Sequence, residues 1–242
     1  MKVFAIIVAA GKGLRFSKEK KVKFAQDLKT GTCKQFICLG GKPVFAHAIK
    51  PFDDLRTVDE IVLVVPKGKV NYCKSVINEF RFKKNIIVVE GGVLRQDSVL
   101  NGLNAIKGKD RDIVLVHDGA RPLITKDLIE KCISAAEKNG ASIVAIPVTD
   151  TIKSCKKDLV EDTLDRNRLW SVQTPQGFKL GLLKKAFDFA KRHHFVASDD
   201  AFMIERLGRK VNIVQGSSEN IKITTPIDLF IAEKILKFRK NS

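Results

Sequence analysis

One Trp and one Tyr are all that 242 residues contain of the amphipathic aromatics. Most of the 15 Phe fall in apolar runs or at helical spacing, so the aromatics do not argue for a base-stacking surface. Cysteine is sparse as well. Cys33, Cys38, Cys73, Cys132 and Cys155 form no C-x-x-C pair, and no nearby His completes a metal set, so they read as free thiols of a reducing compartment. Long hydrophobic runs are missing: no segment reaches the roughly 18 to 20 apolar residues of a membrane span. The N-terminus Met1–Val8 has the look of a signal peptide, but its apolar run is short and feeds straight into a glycine loop without spacer, so it reads as a buried first strand. A cytoplasmic enzyme is the expectation. Acids are also few, 27 against 44 Lys and Arg, leaving a formal net charge of +17. That field favours anionic partners, and on charge alone a solvated lysine-rich surface and a nucleic-acid footprint are equally good readings.

What is present is enough apolar material for a core, 44% of residues, arranged in a telling order. Short continuous apolar runs recur at Val3–Ala9, Ile61–Val65, Ile86–Val89, Ile113–Val116 and Ser142–Ile146. Runs without alternation suit strands buried on both faces. Between them Val44–Phe52, Ser98–Ile106 and Leu128–Ala136 carry helical spacing, with Thr125 as N-cap of the last. Alternation of strand and helix predicts an α/β fold with a mostly parallel sheet. After Pro147 come short β-like pieces at Thr151–Lys153, Leu159–Val160 and Leu169–Gln173. Helices follow at Leu180–Arg192 and Asp199–Leu207, then strands at Val211–Gln215 and Ile221–Thr224. Thr225-Pro226 is a good start for a closing helix. With no repeat and no proline-rich linker, residues 1–242 read as a single domain with a β excursion over about 148–173.

The chemistry begins at Ala9-Ala10-Gly11-Lys12-Gly13-Leu14-Arg15. Gly11 and Gly13 let the backbone turn tightly and aim N–H groups at a phosphate, while Lys12 and Arg15 add charge. The loop fails as a dinucleotide fingerprint, because Phe16 stands where the third Gly belongs and the next strand ends in Val65-Pro66-Lys67 without a ribose-binding acid. It fails as a P-loop too, for the chain has no G-x-x-x-x-G-K-[ST]. A strand, a small-residue turn and a basic residue followed by Lys34-Gln35-Phe36 suit a nucleotidyltransferase.

Gly91-Gly92, His117-Asp118-Gly119-Ala120-Arg121-Pro122, Asp150-Thr151-Ile152-Lys153, Asp165–Trp170, Thr174-Pro175-Gln176 and Asn220-Ile221-Lys222 complete an ordered set with that loop and Lys34-Gln35-Phe36. In this order the set resembles the 2-C-methyl-D-erythritol 4-phosphate cytidylyltransferase family, from residue 3 to about residue 234. The resemblance implies a Rossmann-like nucleotidyltransferase domain with a protruding β-arm. It also implies transfer of the cytidylyl group of CTP to methylerythritol phosphate, with release of pyrophosphate, in the non-mevalonate isoprenoid pathway. The attacking phosphate oxygen is already anionic at neutral pH, so no general base is needed. The task is to bring two anions together, which calls for Lys, Arg and Mg²⁺ or another divalent cation held mainly by the CTP phosphates, near Asp118.

Carried over by resemblance, Arg15 and Lys34 stabilise the transition state, and Arg166 and Lys222 hold the sugar phosphate for attack. Ala9, Ala10, Gly11, Gly13, Gly92, Ser98 and Asp118 would bind CTP. Arg121, Thr151, Thr174 and Ser198 would bind the sugar phosphate. Local readings stand beside these: Ser98 and Ser198 as helix N-caps, Lys222 as a surface lysine on a strand, and His117 as a structural hydrogen-bonding residue rather than a base. In this family the arm exchanges with a second subunit to form a homodimer, so Thr151 and Arg166 would act in trans; from the residues alone, an intrachain flap is nearly as good. The segment Ser17–Cys33 is longer and more basic than usual, leaving Lys20, Lys21 and Lys23 as competitors of Lys34. Val93 replaces a usual acid, Gly119 a usual alanine and Ser198 a usual threonine. The nearest alternative is a ribitol-5-phosphate cytidylyltransferase, and the alternative of another class is a basic nucleic-acid-binding module. The Lys153 and Asp165–Trp170 matches favour methylerythritol phosphate, with no nucleic-acid or membrane partner.

Overall fold

A computed structural model describes residues 1–11 and 34–241. Its strands include β1 (Val3–Val8), β2 (Cys38–Leu39), β3 (Lys42–Pro43), β4 (Glu60–Val65), β5 (Ile86–Glu90), β6 (Ile113–Asp118), β7 (Ala141–Pro147), β10 (Trp170–Lys179) and β11 (Asn212–Gln215). Seven of them form a central sheet in the order β11-β7-β10-β6-β1-β4-β5, while β2 and β3 pair as a short antiparallel ribbon. Within the central sheet all neighbours run parallel except β10, which lies antiparallel between β6 and β7.

The two faces of β1 explain why its sequence is apolar without alternation. Val3, Ala5 and Ile7 join one core with Phe45, Phe52, Cys73, Ile129 and Cys132, from the helices α1 (Val44–Asp54), α2 (Val70–Phe80) and α4 (Lys126–Asn139). Phe4 and Ile6 join the other with Val99, Leu103, Leu183 and Met203, from α3 (Arg95–Asn104), α5 (Leu180–Arg192) and α6 (Asp200–Arg206). A strand covered on both sides gains by filling every position with a hydrophobe. Thr125 caps α4, its hydroxyl accepting the Leu128 N–H as expected.

Four local expectations are corrected. The stretch Leu169–Gln173 is not a separate β piece: Trp170 opens a ten-residue strand that runs through Thr174-Pro175-Gln176 and pairs with β7 from Pro147 onward, so residues 170–173 of the excursion belong to the main sheet. Outside that sheet, β8 (Lys153–Lys156) and β9 (Leu159–Thr163) form an antiparallel hairpin of their own. Ile221–Thr224 is not a strand: Ile223 N–H donates to Ala120 O, which draws the segment across the strand ends instead of along a sheet edge. Ser98 and Ser198 are not N-caps. The caps are Leu94, whose N–H is taken by Asp97, and Asp199, whose carboxylate accepts the Phe202 N–H. The closing helix α7 (Pro226–Asn241) starts where Pro226 predicts, with Asp228 accepting the N–H groups of Thr224 and Thr225.

Candidate active site

The chain leaves β1, forms β4 and β5 on one side of it and returns to β6 on the other. Ligands bind at such a reversal, outside the carboxyl ends of the strands. Gly11 and Asp118 both stand there. The Ala9–Gly11 backbone is pinned from two directions: Ala9 N–H donates to Val64 O, and Gln35 Nε2 donates to Ala9 O at 2.5 Å and to Gly11 O at 2.8 Å. Gln35 sits in the short turn Lys34–Phe36 and ties that turn to the backbone of Ala9 and Gly11. Gly13, Arg15, Lys12 and the segment 17–33 with Lys20, Lys21, Lys23 and Cys33 lie outside the described residues.

The loop after β5 leans on this turn. A Cβ at Gly91 would stand 2.3 Å from Ala10 Cβ, and one at Gly92 would stand 2.2 Å from Asp97 Cβ, so neither position accepts a side chain without displacement. Ser98 is buried; its hydroxyl accepts Gly92 N–H and donates to Leu94 O. Its position shapes the Gly92 loop from beneath.

Asp118 ends β6 and gathers three cations. Lys222 Nζ lies 2.8 Å from Oδ2, Arg121 Nε 3.7 Å from Oδ2, and Arg95 Nε 3.6 Å from Oδ1. Burial opposes the charge on Asp118, but Lys222, Arg95 and Arg121 together outweigh it and hold the carboxyl well below its usual range. Burial also pulls the Arg121 guanidinium below its ordinary value despite Asp118. The segment bearing Lys222 is fastened here: Arg121 donates to Asn220 O, and Asn220 Nδ2 donates to Thr174 O and Gln173 Oε1.

Thr174 lies directly beneath. Its hydroxyl accepts Asp118 N–H at 3.0 Å and meets His117 Nδ1 at 3.0 Å. His117 Nε2 pairs with Arg121 O, and burial pushes the imidazole down to about 4. A fully buried, neutral ring with both nitrogens engaged holds the strand end in shape and offers no base to a substrate, in agreement with its structural reading.

The remaining candidates stand apart. Thr151 and Ser198 are exposed. Arg166, also exposed, donates to Thr149 O and joins no ion pair among the described residues. Two residues that sequence reasoning missed belong at the centre: Arg95, and Asp200, whose Oδ2 lies 2.8 Å from Arg95 NH1. Neither has a local signature, because the three segments that meet there are far apart in the chain.

A two-faced α/β sheet with Gly11 directly after β1 and cations converging at the reversal of strand order suits a nucleotidyltransferase. The IspD family model, 2-C-methyl-D-erythritol 4-phosphate cytidylyltransferase, matches residues 3–238, and the chain belongs to that family. It is 47% identical over 241 residues to the enzyme of that name from Alkaliphilus oremlandii, covering 99% of this chain and 97% of the relative. The crystal structure of 4-diphosphocytidyl-2C-methyl-D-erythritol synthase from Anaerococcus prevotii superposes with a TM-score of 0.82 at 31% identity, covering 98% of this chain and 96% of that one. The Francisella tularensis 2-C-methyl-D-erythritol 4-phosphate cytidylyltransferase follows at 0.79 and 32% identity, covering 97% and 99%.

Proposed function

We propose that the chain transfers the cytidylyl group of CTP to 2-C-methyl-D-erythritol 4-phosphate, giving 4-diphosphocytidyl-2-C-methyl-D-erythritol and pyrophosphate in isoprenoid precursor synthesis. The observation that carries the reading is the convergence of Lys222, Arg121 and Arg95 on Asp118 beside the Gly11 turn. An acceptor phosphate oxygen attacks the α-phosphorus, the new P–O bond forms, and the bond to the β-phosphate oxygen breaks with its electron pair leaving on pyrophosphate. Lys222 and Arg121 are placed to hold the incoming dianion. Backbone N–H groups of Ala10–Gly13, with Arg15 and Lys34, would take the triphosphate. Gly92 and Ser98 would shape the base pocket, and Thr174 and Ser198 the polyol side. Neither ribitol phosphate as acceptor nor a nucleic-acid-binding role is favoured, since family and relatives match over nearly the whole length.

A divalent cation fits the site. Asp118 is one ionised carboxylate in reach of the phosphates, and Mg²⁺ is commonly held by one or two carboxylates plus substrate phosphates. Its principal ligands would be the phosphate oxygens of CTP. When bound it would offset charge on the triphosphate.

The same reading makes residues 1–242 one nucleotidyltransferase domain with an arm, and the protein a homodimer through it. Leu159 and Val160 on the hairpin are 76% and 60% exposed, which suits contact with a second copy. Thr151 and Arg166 would then reach the partner's site. Among the described residues no helix is long and apolar enough to cross a membrane. We place the enzyme in the cytoplasm on the free thiols of Cys38, Cys73, Cys132 and Cys155, which suit a reducing compartment. Incubation with each nucleoside triphosphate, Mg²⁺ and either methylerythritol phosphate or ribitol phosphate tests the whole: pyrophosphate is expected with CTP and the first acceptor, and its absence there would refute the reading.

A further inference from the structure

The first turn of α3 directs four consecutive side chains to five neighbours. Arg95 spans Asp118 and Asp200. Gln96 Oε1 accepts Ala197 N–H at 2.9 Å. Asp97 takes Leu94 N–H and Ser98 takes Gly92 N–H. The last two shape the loop assigned to the cytosine. The first two reach the segment Ala197–Asp200, which carries Ser198 on the side assigned to the polyol.

Asp200 makes Arg95 more than a surface contact. Its side chain is 1% exposed, its N–H is held by Gln176 Oε1, and its Oδ1 has no hydrogen-bond partner among the described residues. A carboxylate buried in this way keeps its charge only beside a fixed cation. Burial holds the Asp200 carboxyl above its usual range, Arg95 is the cation that opposes that shift, and the same guanidinium faces Asp118 with a different nitrogen. A planar fork with separately directed N–H groups can serve two carboxylates at once; an ammonium is a point charge and favours one.

We propose that Arg95 is a positioning residue for cytidylyl transfer. By holding Asp118 and Asp200 on one guanidinium, it fixes the acceptor side of the site against the cytidine side, so that the acceptor phosphate meets the α-phosphorus in line. The inference rests on the cytidylyltransferase reading above and adds to it a residue outside the family motifs quoted.

Arg95→Lys, Arg95→Gln and Asp200→Asn are to be assayed for pyrophosphate release from CTP and methylerythritol phosphate, with kcat, both KM values and the melting temperature measured beside the wild type. Arg95→Lys should stay folded yet raise the KM of the sugar phosphate at least about tenfold, and raise it more than the KM of CTP. Arg95→Gln should go further, and its combination with Asp200→Asn should be clearly less than additive. Folded variants with kcat and both KM values within about twofold of wild type would overturn the inference. So would a loss confined to melting temperature and kcat with both KM values unchanged, the outcome of a merely structural arginine. Should Arg95→Gln fail to fold, Arg95→Lys decides by the same criteria. A wild type that releases no pyrophosphate overturns the cytidylyltransferase reading itself, a result distinct from a normal wild type with a normal variant.

Discussion

Lys222 Nζ lies 2.8 Å from Asp118 Oδ2, at the mouth of the site, on a segment fastened by Asn220 rather than by a sheet. The lysine side chain is 36% exposed, whereas Asp118 is only 10% exposed. Arg95 and Arg121 stay beside Asp118 when the lysine turns away, so Lys222 is the partner placed to exchange its carboxylate for a phosphate.

Lys222→Ala should accordingly separate activity from stability. Turnover is expected to fall about 100-fold, the scale for loss of one preorganised cation or donor at a transition state. The melting temperature should move by no more than about 4 °C. Pyrophosphate release and thermal unfolding of the same preparation check both halves, and full turnover would remove Lys222 from the site.

His117 makes stability depend on pH. Its imidazole is pushed from the ordinary 6.5 to about 4 by burial, so the unfolded chain takes up a proton that the folded one refuses. The contribution is fully present above about pH 6.5 and is lost as pH falls towards 4, by roughly 3 kcal/mol at most. Urea unfolding across that window should show the decline in the wild type and a flatter profile in His117→Gln. An equally steep profile in the variant would assign the decline to other groups.

Gly91→Ala probes the contact between the base loop and the β1 turn. The added methyl carbon meets Ala10 Cβ at 2.3 Å and Ser98 Oγ at 2.8 Å, so the loop has to move. A cost of about 1 to 3 kcal/mol in stability is expected. The KM of CTP should rise more than that of the sugar phosphate, because the displaced loop belongs to the nucleotide side. Steady-state kinetics with each substrate varied in turn checks the asymmetry.

If the arm completes a partner's site, Arg166→Ala and Lys222→Ala should each be inactive alone yet rescue one another when mixed. Random reassortment leaves half the subunits in mixed dimers, each with one intact site, giving about a quarter of wild-type activity. No recovery, or no dimer in sedimentation, would place Arg166 in its own chain's site.

Much of this architecture can be read from residue order because the physics is local. The runs in β1, β4 and β6 are uninterrupted hydrophobes since both faces are covered, and Thr125 caps α4 through its neighbour three positions on. Helix α2 escapes such reading because only Cys73 and Val76 are fully buried along it. Ile221–Thr224 has strand-like residues, but its backbone partner is Ala120, a distant loop that no periodicity announces. Ser98 and Ser198 have the chemistry of caps, and the helices begin at Leu94 and Asp199 instead. In the site, motif residues such as Asp118, Arg121 and Lys222 do meet. Arg95 and Asp200 are invisible until folding joins three remote segments.

Strand β10 enters from the hairpin side at Trp170, and its pairing with β7 shifts register between Val172 and Gln176. Thr174, with its hold on Asp118, falls inside that irregular stretch. Before it, Trp170–Val172 pair with Pro147–Ala145 of β7, and after it Gln176–Lys179 pair with Val116–Ile113 of β6. A break in register between two paired stretches re-aims the side chain that falls in it. The same strand thereby closes the sheet and turns one hydroxyl toward Asp118, so a change that smoothed out the irregularity would cost the site its Thr174 contact while leaving the sheet order intact.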